Sequence, residues 1–386
     1  MATDNNPIII IGGGVNGLAI AWRLAKAGRS VDVYDAGAIG AGSTGATWAS
    51  GGMLAANIEA EPGEEALTAL CLDSQQRWPA FRDELEAASG VSVGYRSEGI
   101  MVIATNRDET AALKHQYDYQ TGLGLQLEWL TAAEAKRREP HLGRNITAAV
   151  FSPLDHQVEN RDVLRALVIA AEHAGARLHP HTPVDALETA GGRAVGVRIA
   201  GEMRPAAAVV LAAGAWSGSI PGVPAEAKPP VRPLKGQMLA IQMDPAAPIL
   251  THVVWAPTTY LIPRLDGRLL IGATVEERGF DDTITAGGLL TLLDRAWRAL
   301  PTIEELPIVE TWAGFRPTSR DDAPIFGPTP LEGLFLATGH HRNGILLAPI
   351  TADAVSAAVL GADMPAVAQP FTNHRFTRSA KTKAVA

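Results

Sequence analysis

The sequence predicts an α/β protein in which a larger domain around a parallel sheet is interleaved with a smaller α+β domain built on an antiparallel sheet. Three observations lead to this expectation. The chain has 386 residues, which is long for one compact core. It opens with an apolar run, a glycine-rich turn, a helical stretch and a second apolar run, the order of a parallel strand–helix–strand unit. Residues 231–275 instead contain three strand-like runs without helices between them, which is typical of an antiparallel sheet.

Composition argues against several classes of function. Hydrophobic residues make up 47% of the chain and the mean hydropathy is +0.07, as in well-buried globular proteins. The net charge of −8, without a basic stripe, argues against a nucleic-acid partner. No stretch has the length and apolarity of a membrane span. Because the opening MATDNNP lacks the positive residues of a secretory signal, we expect a cytoplasmic small-molecule enzyme.

The first element is predicted to bind a dinucleotide. Gly12, Gly14 and Gly17 follow the first apolar run and open a helix. In this pattern the glycines permit a tight turn, close approach to a pyrophosphate and close helix packing, while the helix start supplies N–H donors. Asp35 follows Gly12 by 23 residues, the position of a carboxylate that binds the ribose hydroxyls and repels a 2′-phosphate. A Rossmann-like domain for NAD or FAD, rather than NADP, is therefore expected.

The next segment, residues 37–54, is crowded with Gly, Ala, Ser and Thr. We interpret it as packed against the cofactor rather than as a flexible loop, because it also carries large apolar residues. A helix is expected over 64–89, where the only cysteine, Cys71, occupies an apolar position. A single cysteine excludes an intrachain disulfide and a multi-cysteine metal site. A hairpin is predicted over Val91–Thr105, and a helix over Asp108–Tyr119.

The chain then returns to the first sheet. An amphipathic helix is expected from Asn160 to near Gly175, followed by a strand toward Val184. His179 and His181 have no third ligand nearby in sequence, which argues against a metal site. The spacing Gly-x-Ser-x-Gly is also missing, so a hydrolase nucleophile is not expected.

Two residues of the antiparallel region are candidates for binding a carboxylate. Arg316 lies among aromatic residues, where a guanidinium can hold a carboxylate through two hydrogen bonds. The alternative is an ion pair with Asp321 or Asp322. Tyr260 lies in a predicted strand, where its hydroxyl either contacts the same carboxylate or belongs to ordinary sheet packing.

A second glycine-containing loop lies near the C-terminus. A strand over Leu334–Ala337 leads into the loop Gly339–Asn343, and a helix is predicted from about Gly344 to Leu360. A helix start favours negative charge, and the reduced isoalloxazine carries negative charge along its N1–C2 edge. This loop favours FAD over NAD. Arg342 either faces the flavin or substrate or caps the loop. The polar tail after Pro370 is expected to be solvated.

Together these motifs resemble the FAD-dependent D-amino-acid oxidase superfamily and, within it, the glycine oxidases of the thiamine-pathway type. The resemblance extends over nearly the whole chain. It is carried by IIGGGVNGLAIAWRLAKAG, SGGML, HQVENRDVLRAL, VVLAAGAWSG, VRPLKGQML, YLIPRLDGRLLIGAT, WAGFRP and GHHRNGILLAP.

The resemblance implies a set of site residues. The cofactor-binding residues are Gly12, Gly14, Val15, Asn16, Gly17, Asp35, Ala36, Ser43, Thr44, Gly51, Gly52, Met53, Val184, His340, His341, Arg342, Asn343, Gly344, Ile345 and Leu346. The catalytic residues are Arg316, Tyr260 and Arg342, with Arg316 binding the substrate carboxylate. Because related proteins attach their flavin to a cysteine in the C-terminal half, and Cys71 lies elsewhere, the FAD is expected to be non-covalent.

The pattern departs from the glycine oxidases at positions on which substrate choice depends. Trp255, Thr258 and Val275 stand where a tyrosine, a histidine and a methionine are expected. The resemblance implies oxidation of glycine, a D-amino acid or an N-substituted glycine to the imine, then hydrolysis to the keto acid, with oxygen reduced to hydrogen peroxide. Three alternatives remain: a dehydrogenase that passes electrons to a quinone or a protein, a non-catalytic or tRNA-modifying flavin-binding protein, and an NAD-dependent dehydrogenase.

The expected domains follow from the same pattern. Residues 1–90, 150–225 and 318–386 form the FAD-binding domain, and residues 91–149 and 226–317 form the substrate domain. The expected partners are an amino acid or amine substrate and oxygen, and the resemblance suggests a homo-oligomer.

Overall fold

The computed structural model describes residues 6–376 of the chain. Within that range the strands are β1 Ile8–Ile11, β2 Val31–Tyr34, β3 Met53–Leu54, β4 Ile100–Ala104, β5 Glu128–Thr131, β6 Ala148–Ser152, β7 His156–Gln157, β8 Arg177–His179, β9 Ala186–Ala190, β10 Arg193–Ile199, β11 Glu202–Pro205, β12 Ala208–Leu211, β13 Arg232–Gln242, β14 Val253–Ala256, β15 Thr259–Pro263, β16 Arg268–Gly272, β17 Ile308–Thr318, β18 Ile325–Pro328 and β19 Leu334–Thr338. The α-helices of the same range are α1 Val15–Lys26, α2 Ala46–Ala49, α3 Glu65–Ser89, α4 Arg107–Gly122, α5 Ala132–Arg138, α6 Asn160–His173, α7 Ala286–Ala299 and α8 Ala348–Val359, and short 3-10 helices cover Gly214–Ser219, Pro301–Glu305 and Ala366–Phe371.

The first sheet has six strands in the order β18-β19-β12-β1-β2-β8, all parallel except the edge strand β18. Its central strand β1 is a run of four isoleucines buried on both faces, as expected for a covered parallel sheet. Ile8 and Ile10 pack against the helices α1, α3, α6 and α8. Ile9 and Ile11 face the opposite side, where the small sheet β11-β10-β9 covers them. Because successive side chains of a strand point to opposite faces of the sheet, these four residues belong to two separate hydrophobic cores.

The second sheet has eight strands in the order β17-β13-β16-β15-β14-β4-β6-β5. Its pairs are antiparallel except for β14 with β4. One face packs on α7 through Leu292, Ala296 and Ala299. The other face, which carries Met238 and Tyr260, points toward the first sheet. The three strand-like runs predicted between residues 231 and 275 are confirmed as β13, β15 and β16.

Four local predictions are wrong. Residues 91–105 do not form a hairpin: only β4 is a strand there, and its partners are the distant β14 and β6. The strand predicted toward Val184 ends at His179. The last helix begins at Ala348 rather than at Gly344, because residues 344–347 form a separate turn and Pro349 has no N–H to continue the helical bonds backward. The tail after Pro370 is not solvated throughout, because Phe371 and Asn373 are buried. Its final ten residues lie outside the described residues.

No helix within residues 6–376 has the length and apolarity needed to cross a bilayer.

Candidate functional site

A cavity of about 990 Å³ lies between the two large sheets. The predicted site residues line it, with two exceptions. Gly17 lies under the turn, where a Cβ would collide with the carbonyl oxygen of Gly12, so its role is to pack α1 against β1. The carbonyl oxygen of Leu346 accepts hydrogen bonds from Ser74 and Trp78 of α3, which holds this residue in the helical core.

The start of α1 offers unused hydrogen-bond donors to the cavity. Gly12 has φ 113°, which only glycine adopts without strain, and it turns the chain from β1 into the helix. Within residues 6–376, the amide N–H groups of Gly14 and Asn16 have no acceptor. The buried Oδ1 of Asn16 also has no hydrogen-bond partner there. Two free N–H groups at a positive helix end fit a pyrophosphate.

Thr47, which the sequence analysis did not single out, completes this helix start. Its Oγ1 accepts a hydrogen bond from the Val15 N–H at 3.0 Å. The segment 37–54 that contains it is packed, because Asn160 donates to the carbonyls of Thr47 and Trp48 at 2.8 and 2.9 Å. The interpretation of this segment as ordered agrees with these contacts.

Asp35 is held at the end of β2 by backbone donors. Its carboxylate oxygens accept hydrogen bonds from the N–H groups of Gly13 at 2.7 Å and Gly37 at 2.8 Å. Its backbone bonds to His179 and Thr182, which brings the nearby Val184 to the same end of the cavity. The carboxylate is thereby oriented, and it has remaining lone pairs for hydroxyl donors.

Arg264 binds the segment 37–54 to the second sheet. Its buried guanidinium donates to the carbonyls of Gly51 at 2.9 Å and Val158 at 2.8 Å, and to the side chain of Asn160 at 3.0 Å. Burial lowers its pKa, an effect that nearby Glu159 opposes. This arginine fixes the position of Gly51, and no local pattern in the sequence singled it out.

Arg316 lies on β17 at the other end of the cavity, over the backbone of Gly236. It donates to the Thr274 carbonyl at 3.2 Å. Within the described residues no carboxylate forms a salt bridge with it: Asp321 pairs with Arg375 and Asp322 with His341. The alternative ion pair considered from the sequence is therefore not formed. A cation without an acidic partner faces the cavity.

Tyr260 lies beside Arg316 in the same region. Its hydroxyl is 3.8 Å from the Met238 sulfur, and its ring makes an edge contact with Trp255 at 6.0 Å between centroids. Burial raises the Tyr260 pKa, and Arg316 opposes this effect. The hydroxyl therefore remains protonated near neutral pH and can donate a hydrogen bond to an anion held by Arg316.

Arg342 lines the cavity but has acidic partners. Its Nε bonds to Glu59, and its Nη2 lies 3.4 Å from Glu61. The coulombic effect of Glu59 raises the Arg342 pKa, while burial raises the Glu59 pKa. The positive potential of Arg342 toward a ligand is consequently offset by a carboxylate that sequence reasoning missed.

The loop after β19 has a second set of backbone N–H groups without an acceptor within the described residues. Within residues 6–376, the N–H groups of Gly344 and Ile345 have no acceptor, and both residues line the cavity. The donors belong to a turn before α8 rather than to the helix itself. His340 is buried and bonds to Thr351 at 3.0 Å, and burial lowers its pKa to about 3. The imidazole is therefore neutral at physiological pH.

Comparison with known proteins identifies the family of this chain. Residues 7–358 match the family model described as FAD dependent oxidoreductase. The glycine oxidase of Geobacillus kaustophilus is 37% identical, over 90% of this chain and 91% of that protein. The glycine oxidase of Pseudomonas aeruginosa is 36% identical, over 89% and 91% respectively.

Solved structures show the same fold. The crystal structure of glycine oxidase from Geobacillus kaustophilus has a TM-score of 0.88 at 36% identity, over 95% of this chain and 97% of that chain. The structure of iminodiacetate oxidase from a Chelativorans species has a TM-score of 0.85 at 26% identity, over 95% and 98%. The α/β fold class and the FAD cofactor predicted from the sequence are confirmed. The chain belongs to the family of FAD-dependent oxidoreductases.

Proposed function

We propose that this protein oxidises glycine or another small amino acid, a D-amino acid or an N-substituted glycine, with FAD as its non-covalent cofactor. The observation that carries the proposal is Arg316, a cation without an acidic partner in the described chain, facing the cavity beside the hydroxyl of Tyr260. The substrates named for the two glycine oxidases support it.

The donor set of the cavity fits FAD. Asp35 would bind the ribose hydroxyls, and the free N–H groups of Gly14 and Asn16 would bind the pyrophosphate. The free N–H groups of Gly344 and Ile345 would hold the electron-rich edge of the flavin. When bound, FAD supplies the acceptor for two electrons and a hydrogen. The proposal also includes the domain bounds expected from the sequence, a cytoplasmic location and a homo-oligomeric state.

The chain's own residues position the substrate. Arg316 binds the carboxylate through charge-assisted hydrogen bonds, and Tyr260 adds a third from its hydroxyl. Fixing the carboxylate orients the α-carbon, and orientation of this kind supplies much of a rate enhancement. No residue is assigned as a base, because the amine is oxidised in its neutral form.

The proposed reaction consumes the amino acid, water and oxygen and needs no other reactant. The α-carbon loses a hydrogen with two electrons and the amine nitrogen loses a proton, so glycine becomes the imine. Water adds to the imine and releases ammonia and glyoxylate. Oxygen accepts the two electrons and two protons and becomes hydrogen peroxide. A quinone or protein acceptor in place of oxygen is the alternative.

The substitution Arg316→Leu tests the proposal. The variant should raise the KM for glycine steeply, because the carboxylate loses its charged partner, while retaining its flavin. The control is Arg320→Leu, since Arg320 is exposed and has no hydrogen bond within residues 6–376. Steady-state constants that stay unchanged in Arg316→Leu would overturn the assignment.

A further inference from the structure

Arg295 is a second arginine of the cavity without an acidic partner in the described chain. It projects from α7, lines the cavity and donates one hydrogen bond, to the Thr258 carbonyl at 3.2 Å. Arg298, three residues later on the same helix, instead pairs with Asp294 at 3.0 Å. Arg295 is therefore held toward the cavity by a neutral carbonyl, and its charge is uncompensated by any carboxylate of residues 6–376.

The carbonyl that holds Arg295 belongs to a strained residue. Thr258 has φ 64°, in the left-handed region that β-branched residues rarely adopt. Such strain persists where the surrounding structure requires it, often at ligand sites. The unfavourable conformation aims the Thr258 carbonyl at Arg295.

Thr258, which accepts the hydrogen bond from Arg295, is close in sequence to the residue beside Arg316. Tyr260, the neighbour of Arg316, follows Thr258 by two residues, and two residues of extended chain span at most about 7 Å. Thr258, which holds Arg295, and Tyr260, which lies beside Arg316, are thus two residues apart on one wall of the cavity. Trp255 and Val275 complete that wall with apolar surface.

The end of the cavity that holds Arg295 and Arg316 has an excess of positive charge. Its acidic lining residues are Asp35, which lies at the nucleotide end, and Glu59, which pairs with Arg342. Arg295 and Arg316 remain as two cations facing one partly enclosed space. Cavities lined by one sign of charge concentrate the opposite charge, and a ligand with two anionic groups relieves the repulsion between the cations.

The geometry points to Arg295 as a second anion-binding subsite, so that the preferred substrate is an amino acid with a second carboxylate two or three atoms away from the first. Arg316 holds the carboxylate next to the reacting carbon, and Arg295 holds the other. This inference rests on the proposed amino-acid oxidation. The second carboxylate is attached either through the nitrogen, as in N-(carboxymethyl)glycine, or through the α-carbon, as in D-aspartate.

Paired substrates test the subsite. N-(carboxymethyl)glycine is compared with N-methylglycine, and D-aspartate with D-alanine, because each pair differs by the second carboxylate. We expect the wild-type kcat/KM to favour the dicarboxylate of at least one pair by about 10-fold or more, and the favoured pair identifies the point of attachment. Equal or lower values for the dicarboxylates in both pairs would overturn the inference.

The variants Arg295→Met and Arg295→Lys separate charge from packing. Methionine should lower kcat/KM for the dicarboxylate by about 10- to 100-fold and leave N-methylglycine within about twofold, while lysine restores part of the loss. Arg298→Met is the matched control on α7 and should behave as wild type. An equal loss for both substrates in Arg295→Met would show a structural role and refute the subsite.

Calorimetric binding distinguishes this inference from the proposed function. The holoenzyme is titrated with succinate and with butyrate, which need no turnover. If succinate binds more tightly than butyrate, Arg295→Met abolishes the difference and no amino acid is oxidised, the subsite is supported and the proposed function is refuted. Amino-acid oxidation with equal affinity for the two acids keeps the function and refutes the subsite.

Discussion

The substitution Gly236→Ala should disable Arg316 without touching it. A Cβ at position 236 would lie 2.7 Å from Nη1, 2.9 Å from Nη2 and 3.0 Å from Cζ of Arg316. Carbon atoms in contact prefer about 3.5–4.0 Å, so the guanidinium must move by about 1 Å. The backbone of Gly236 is not in the left-handed region, so alanine fits the strand itself.

The magnitude follows from the contact that is lost. Hydrogen bonds to charged groups contribute about 1.5–3 kcal/mol, which corresponds to roughly 10- to 150-fold in kcat/KM for glycine. Stability should change little, because the displaced atoms are the flexible end of a side chain. The Tm from a thermal melt measures the stability, steady-state kinetics with glycine measure kcat/KM, and the flavin content checks that the cofactor is retained.

Two controls complete the experiment. Gly287→Ala adds a methyl group in open space in the first turn of α7 and should leave the kinetics unchanged. Ethylamine has no carboxylate, so its slow oxidation should be equal in wild type and Gly236→Ala. A folded Gly236→Ala protein with the wild-type KM and kcat for glycine would refute the role of Arg316 as the carboxylate-binding residue.

Three further predictions concern the cofactor and the core. Asp35→Asn should raise the Kd for FAD by about 10- to 150-fold, because hydrogen bonds from the ribose lose a charged acceptor, and fluorescence titration of apoprotein measures it; a wild-type Kd would contradict the assignment. Arg264→Met should lower the free energy of unfolding by about 2–5 kcal/mol in urea, because the buried carbonyls of Gly51 and Val158 lose their donor, although Glu159 keeps its ion pair with Arg268; a loss under 1 kcal/mol would argue against this role. For His340 the folded pKa, about 3, lies below the ordinary 6.5, so the unfolded state binds more protons between these values and stability falls as the pH drops through them. His340→Gln should therefore flatten the dependence of stability on pH by up to about 1.4 kcal/mol per pH unit, with the exposed His115→Gln as control; an unchanged slope would show that His340 is not responsible.

Local patterns predicted the first strand–helix–strand unit of the chain, β1, α1 and β2, correctly. The isoleucine run, the glycine spacing and Asp35 lie within one strand–helix–strand unit, so spacing alone relates them to each other. The prediction of a hairpin at residues 91–105 was wrong because the strand partners in that region are distant in sequence. Its β-branched residues indicate a strand but do not reveal that the partners of β4 are β14 and β6.

Contacts between residues that are far apart in the chain could not be predicted from the sequence. Glu59 meets Arg342 across 283 residues, and Arg264 reaches Gly51 across 213. Neither pair has a periodicity or a motif that relates its members. Arg295 was missed because a single arginine in an amphipathic helix is typical of a solvated face, and only the fold shows that it faces the cavity.

The visible spectrum of the purified protein, recorded anaerobically before and after glycine is added, tests the central claim most directly. We predict the two absorption bands of an oxidised flavin, and their bleaching by glycine or by one of the dicarboxylic amino acids. A protein that retains no flavin, or a bound flavin that every one of these amino acids leaves oxidised, would contradict the assignment of an FAD-dependent amino-acid oxidase.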